Sequence, residues 1–92
     1  MPYAEEQSYE AMINALQTFV SELEEQCAVM EGAAQDCVDN TNGDQAAEKA
    51  SAKLKKCTDD IRGNFDAIQR VIRGLQGELE KLRRAKEEAN FD

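Results

Sequence analysis

The sequence has no tryptophan and no histidine, and aromatic side chains make up only 5% of its 92 residues. Without His, the commonest general base and the commonest zinc ligand are both missing, which leaves hydrolytic and metal chemistry little to work with. No Gly-rich phosphate loop occurs, and no cofactor is expected. The single proline is Pro2, so nothing downstream forces a helix to break. No apolar run approaches the roughly 18 residues that a membrane-spanning helix needs. Lys and Arg are missing altogether from residues 1–40, which hold nine Asp or Glu, while the remainder holds ten acids and eleven bases. A net charge of −8 so divided repels phosphate backbones and anionic membranes, which argues against nucleic acid and against membrane insertion. The start Met-Pro-Tyr-Ala-Glu-Glu lacks the apolar run of a cleaved leader. The expectation is a cytoplasmic protein whose export, if any, uses a leaderless route.

What the chain does have is one dense turn cluster, Asp39-Asn40-Thr41-Asn42-Gly43-Asp44, between two long helical patterns. Folding the chain back near residue 42 sets apolar positions opposite one another: Met30 and Leu54, Cys27 and Cys57, Leu23 and Ile61, Leu16 and Ile68, Ile13 and Val71 or Ile72, Tyr9 and Leu75. In every pair the residue numbers add to 84 or one more. This register predicts an all-α fold, an antiparallel two-helix hairpin in one domain spanning 1–92. Its helices cover about 3–39 and 44–88, and its turn 40–43 carries Asn42 and Gly43.

The first helix has core positions Tyr9, Ile13, Leu16, Val20, Leu23, Cys27, Met30, Ala34 and Cys37, alternating steps of four and three as in a coiled-coil seam. The second reads Ala47, Ala50, Leu54, Cys57, Ile61, Phe65, Ile68, Ile72, Leu75, Leu79 and Leu82. Two steps of four meet at Cys57–Ile61–Phe65, a stutter that coincides with Gly63-Asn64. A break there would give a three-helix bundle, the alternative to a continuous helix. Asp66–Arg70 and Glu80–Arg84 are spaced for intrahelical ion pairs. Leu79 and Leu82 would need partners near residues 5 and 2, where only Glu5 and Pro2 stand, so a charged tail from about residue 83 to 92 is expected to project.

Near the turn the seam is built of alanine: Ala33, Ala34, Ala46, Ala47 and Ala50. Toward the open end the apolar stripe widens beyond what one helix can cover. The residues Met12, Leu16, Phe19, Phe65, Ile68, Val71 and Ile72 form the expected docking surface for a second hairpin, giving a four-helix bundle as a homodimer or heterodimer.

Three cysteines are the nearest approach to reactive chemistry. Cys27 and Cys57 share a predicted layer, which makes a disulfide between them sterically conceivable beside the plainer reading of small buried thiols. Their spacing fits no zinc site. The pairs Glu24/Glu25 and Asp59/Asp60 read as outward solvating charge. Asp39, Asn42 and Asp44 read as turn and cap chemistry, since the Glu that closes a calcium loop is missing.

In length, acidic balance, paired helices and apolar flank the chain resembles the WXG-motif family of helical hairpins exported by type VII secretion systems. Of that family's turn motif only Gly43 is present, in Thr41-Asn42-Gly43. The tail offers Phe91 and Asp92 side by side rather than Tyr-x-x-x-Asp/Glu. The resemblance is closer to the small helical companions of LXG-type toxins. It implies a non-enzymatic adaptor that binds a toxin's helical N-terminal domain, or is itself a small secreted substrate. Competing readings are a self-associating coiled-coil structural or chaperone-like subunit and a small regulatory subunit.

Overall fold

The computed structural model describes residues 2–90, with side chains described for residues 5–89. The described residues form two helices and no strand: α1, Pro2–Asn40, and α2, Gln45–Asn90. They are 39 and 46 residues long. The fold is all-α, consistent with a helical hairpin. Phe91 and Asp92, part of the expected tail, lie outside the described residues.

The turn forms because the sequence supplies residues that tolerate left-handed backbone. Asn42 has φ 55° and Gly43 φ 74°. The Gly43 N–H donates to the Val38 carbonyl at 2.9 Å and the Asn42 N–H to the Asp39 carbonyl at 3.3 Å. This is the Schellman pattern, which satisfies carbonyls that the end of α1 would otherwise leave bare. The Thr41 hydroxyl shares its proton between the carbonyls of Cys37 (2.8 Å) and Val38 (3.2 Å). Asp44 then caps α2, its carboxylate accepting from the Ala46 N–H at 3.4 Å and its carbonyl from the Glu48 N–H at 2.9 Å.

Contacts divide the chain into two compact units. The terminal unit draws on Met1–Val20 and Ala67–Asp92, and the turn unit on Ser21–Asp66. In the terminal unit Ile13, Ile72 and Leu79 form the buried core, with Tyr9, Leu16, Ile68 and Leu75 packed against it. Leu79 therefore has partners after all, because it is buried in one cluster with Ile13 of α1. Arg83 extends that pairing by donating to Glu10. The tail from residue 83 consequently starts as paired helix, and α2 stays helical to Asn90. Glu80–Arg84 forms at 2.7 Å, whereas no Asp66–Arg70 pair occurs.

In the turn unit Cys27 and Thr58 are fully buried. Apart from Arg62 and Gln69, each next to a seam residue, the half-buried and buried positions of α2 run Ala47, Ser51, Leu54, Thr58, Ile61, Phe65, Ile68, Ile72, Leu75, Leu79, Leu82 and Lys86. These steps alternate four and three without a fault, so the stutter expected at Cys57 does not exist. It arose from preferring the apolar Ala50 and Cys57 to their polar neighbours Ser51 and Thr58. The three-helix alternative falls with it: α2 passes Gly63 and Asn64 as unbroken helix. The irregularity lies in α1 instead. Met30 and Cys37 are exposed, and Glu31 and Val38 take the inward positions, so two steps of four meet at Leu23–Cys27–Glu31.

The apolar core is small. Among the described residues only Ile13, Cys27, Ile72 and Leu79 are buried apolar side chains, and 6876 Å² of surface stays accessible. A compact folded chain of this mass exposes roughly 5,400 Å².

Candidate docking surfaces

Heptad geometry gives each helix two flanks beside its seam. One flank carries the charges that bridge α1 to α2. In the turn unit the Arg62 guanidinium grips both oxygens of Glu31, Nη1 to Oε2 at 2.7 Å and Nη2 to Oε1 at 2.6 Å. Its Nε donates to both oxygens of Glu24 at 3.1 Å. The Thr58 hydroxyl shares its proton between Glu31 Oε2 at 2.7 Å and the Lys55 carbonyl at 3.0 Å. Lys55 pairs with Asp59 at 2.8 Å and approaches Glu31 at 3.8 Å. Glu24 and Asp59 are therefore members of a network rather than idle solvating charges.

The electrostatic consequences follow from those contacts. The hydrogen bonds of Arg62 and then Thr58 pull the Glu31 carboxyl down to about 2. Glu31 and then Glu24 raise the Arg62 guanidinium further above its ordinary value, and Asp59 raises the Lys55 ammonium. A planar guanidinium matched to a carboxylate in this forked way is the strong form of an ion pair. It ties α1 to α2 along this flank of the turn unit, and among the described residues no buried side-chain nitrogen or oxygen lacks a hydrogen-bond partner. Nothing in the sequence reading had singled out Arg62, Thr58 or Glu31. The usable signal was the strict heptad that Ser51 and Thr58 restore.

The other flank is apolar and open. In the terminal unit Met12 and Phe19 are each 51% exposed and Val71 is 49% exposed. These three expected docking residues are free to meet a partner. Leu16 and Ile68 are half-buried against the core. Ile72, at 2% exposure, is a core residue and cannot face a partner; it belongs to the inward heptad position and Val71 to the flank. Phe65 is half-buried and belongs to the turn unit.

In the turn unit the open flank is a groove of about 380 Å³ whose lining includes Met30, Ala33 and Cys37 of α1 and Ala47, Ala50 and Leu54 of α2. Val29, 59% exposed, is a further large apolar side chain of the turn unit. Sequence reasoning placed Met30 in the seam and passed over Val29.

The possible Cys27–Cys57 disulfide is not made. All three cysteines are free, Cys27 buried and Cys37 and Cys57 exposed. The inward position opposite Cys27 belongs to Thr58, one residue on, which turns Cys57 outward. Asn42 and Gly43 serve the turn as expected. Among the described residues no group of three or more His, Cys, Asp or Glu could hold a metal ion, and no helix is long and apolar enough to cross a membrane.

No family model, curated protein or solved structure matches the chain.

Proposed function

We propose that the protein is a non-enzymatic helical adaptor that binds another helical protein through its open apolar flank. The observation that carries this reading is the exposure of Met12, Phe19 and Val71 beside a core of so few buried apolar side chains. Fully burying a side chain of that size contributes about 1.5–3 kcal/mol, and each of these is already half covered, so completing their burial contributes roughly half of that for each. The architectural resemblance to the WXG-motif hairpins supports a role as a companion of a type VII secretion substrate, such as an LXG-type toxin. A partner presented as a helical N-terminal domain would complete a four-helix bundle over the flank.

Phe19→Glu tests the docking role. The variant keeps its helicity, because Phe19 is not part of the core, and loses association as read by light scattering or partner co-elution. Unchanged association in that variant removes the role of this flank. A gene for a toxin or a secretion ATPase beside this one would support the secretion role, and a metabolic operon would count against it.

A further inference from the structure

The turn unit carries two seams, and only one of them is closed. Glu31 and Val38 on α1 and Ser51 and Thr58 on α2 take inward positions. The residues just before them are Met30, Cys37, Ala50 and Cys57, so a second and more apolar seam lies one residue earlier. The two seams share Cys27, Ala34, Ala47 and Leu54. The second is not scattered over the surface: Met30, Ala34, Cys37, Ala47, Ala50 and Leu54 together line the groove of about 380 Å³. The groove is that seam, lying open beside the closed one. Each seam also has one fault in its spacing. In the closed seam two steps of four meet at Leu23–Cys27–Glu31 on α1; in the open one they meet at Cys57–Ile61–Phe65 on α2. Regularity of spacing therefore favours neither. What holds the first is the clasp on the opposite flank, where Arg62 forks onto Glu31 at 2.7 and 2.6 Å and Thr58 donates to it at 2.7 Å.

We propose that the turn unit is a thiol-controlled two-state element, in which its two helical segments turn together and exchange the clasped seam for the apolar one. Adjacent helical residues lie about 100° apart and half of the inward positions are exchanged, so each segment turns by roughly 50°. Both turn toward the groove, as meshed gears do. The motion closes the groove over Met30, Cys37 and Ala50 and carries Glu31, Thr58 and Arg62 outward. It also brings Cys57, which is exposed, into the layer of the buried Cys27, where a disulfide joins the helices. The oxidant is a small disulfide such as oxidised glutathione. The Cys57 thiolate attacks it and releases one glutathione thiolate; after the turn the Cys27 thiolate attacks the Cys57 sulfur and releases the second. Both cysteines lose their protons, and two electrons pass to the oxidant. Reduced, the unit presents an apolar groove; oxidised, it presents charge and no groove. The switch is confined to the turn unit and is independent of the docking role of Met12, Phe19 and Val71 in the terminal unit, so either can fail without the other.

Disulfide trapping on the full chain tests the proposal. The wild type and Arg62→Gln are incubated with oxidised glutathione at micromolar protein, and their bonds are mapped by mass spectrometry of unreduced peptides. Circular dichroism reports that the variant keeps its helicity; Glu31→Gln takes its place if it does not. The expected product is an intramolecular Cys27–Cys57 bond, formed about tenfold faster once the clasp is weakened, because the turned state is then that much more populated. In the bonded wild type, carbon NMR of the Glu31 carboxyl is expected to show its titration moving up from about 2 toward its ordinary 4.5 as Arg62 and Thr58 leave it. A chain that yields only mixed disulfides with glutathione, or only bonds between copies, overturns the proposal. Bonds from Cys37 to Cys27 or Cys57 in comparable yield overturn it too, since they report local unfolding: Cys27 and Cys37 stand ten residues apart on one helix, about 15 Å along its axis. Equal rates in wild type and variant would mean that the clasp does not hold the closed seam. A bonded chain whose Glu31 still titrates near 2 would mean that no turn accompanies the bond. Either result overturns it.

Discussion

Glu31 accepts three close hydrogen bonds across the seam, two from Arg62 and one from Thr58. Its carboxyl is held at about 2 against an ordinary 4.5, so the folded chain gives up that proton more readily than the unfolded one. The stabilisation is fully present above about pH 4.5 and is lost as pH falls through 2. In urea titrations across that window the wild type is expected to lose stability steadily and Glu31→Gln to lose it less steeply. An equally steep loss in Glu31→Gln would assign the acid sensitivity to other carboxylates. This network was the least legible part of the sequence. A rule that fills seams with apolar residues selects Met30 over Glu31 and Cys57 over Thr58. Thr58 wins because its hydroxyl finds acceptors inside and its methyl packs, so burial costs it little. Once Thr58 points in, Cys57 must point out, and no Cys27–Cys57 bond forms in this arrangement.

The two helices differ in what holds their ends and middles. At the turn, Gly43 combines positive φ with a crowded Cα: an added Cβ would stand 3.1 Å from Glu48 Oε1. Gly43→Ala is therefore expected to cost about 1 kcal/mol, chiefly from the left-handed backbone. In the middle of α2 the opposite holds, since a Cβ at Gly63 meets nothing within 4 Å. Gly63→Ala is expected to stabilise the fold by about 0.5–1 kcal/mol. Chemical denaturation of both variants checks the pair, and a destabilised Gly63→Ala would mean that α2 needs flexibility there. The helices, the turn and the cap at Asp44 were legible because they rest on local chemistry: Asn-Gly for the turn and unbroken apolar spacing for the rest. The stutter was misplaced because spacing alone cannot separate an alanine on the flank from a serine in the seam.

For the molecule as a whole, the ratio of exposed to buried apolar side chains governs behaviour. If the open flank is covered by another copy, folding and association are linked, and thermal stability rises with protein concentration. Melting curves over a hundredfold range of concentration are expected to shift upward as the protein is concentrated. A midpoint independent of concentration would mean that the chain is stable with its flank bare. The exposed apolar side chains were partly legible: Met12, Phe19 and Val71 stand exposed, as the widening stripe implied. Ile72 does not, because adjacent apolar residues on a helix point about 100° apart and only one of the two can face outward.

The ion pairs that join α1 to α2 have one polarity: Glu10, Glu24 and Glu31 on the first helix, Arg83, Arg62 and Lys55 on the second. From residue 5 to residue 40, α1 carries no cation at all. It has no opposite charge to offer another helix of its own kind, whereas α2 carries cations that pair with it. Each helix is in effect addressed to the other, so the chain distinguishes its correct neighbour from an identical one before any side chain is packed.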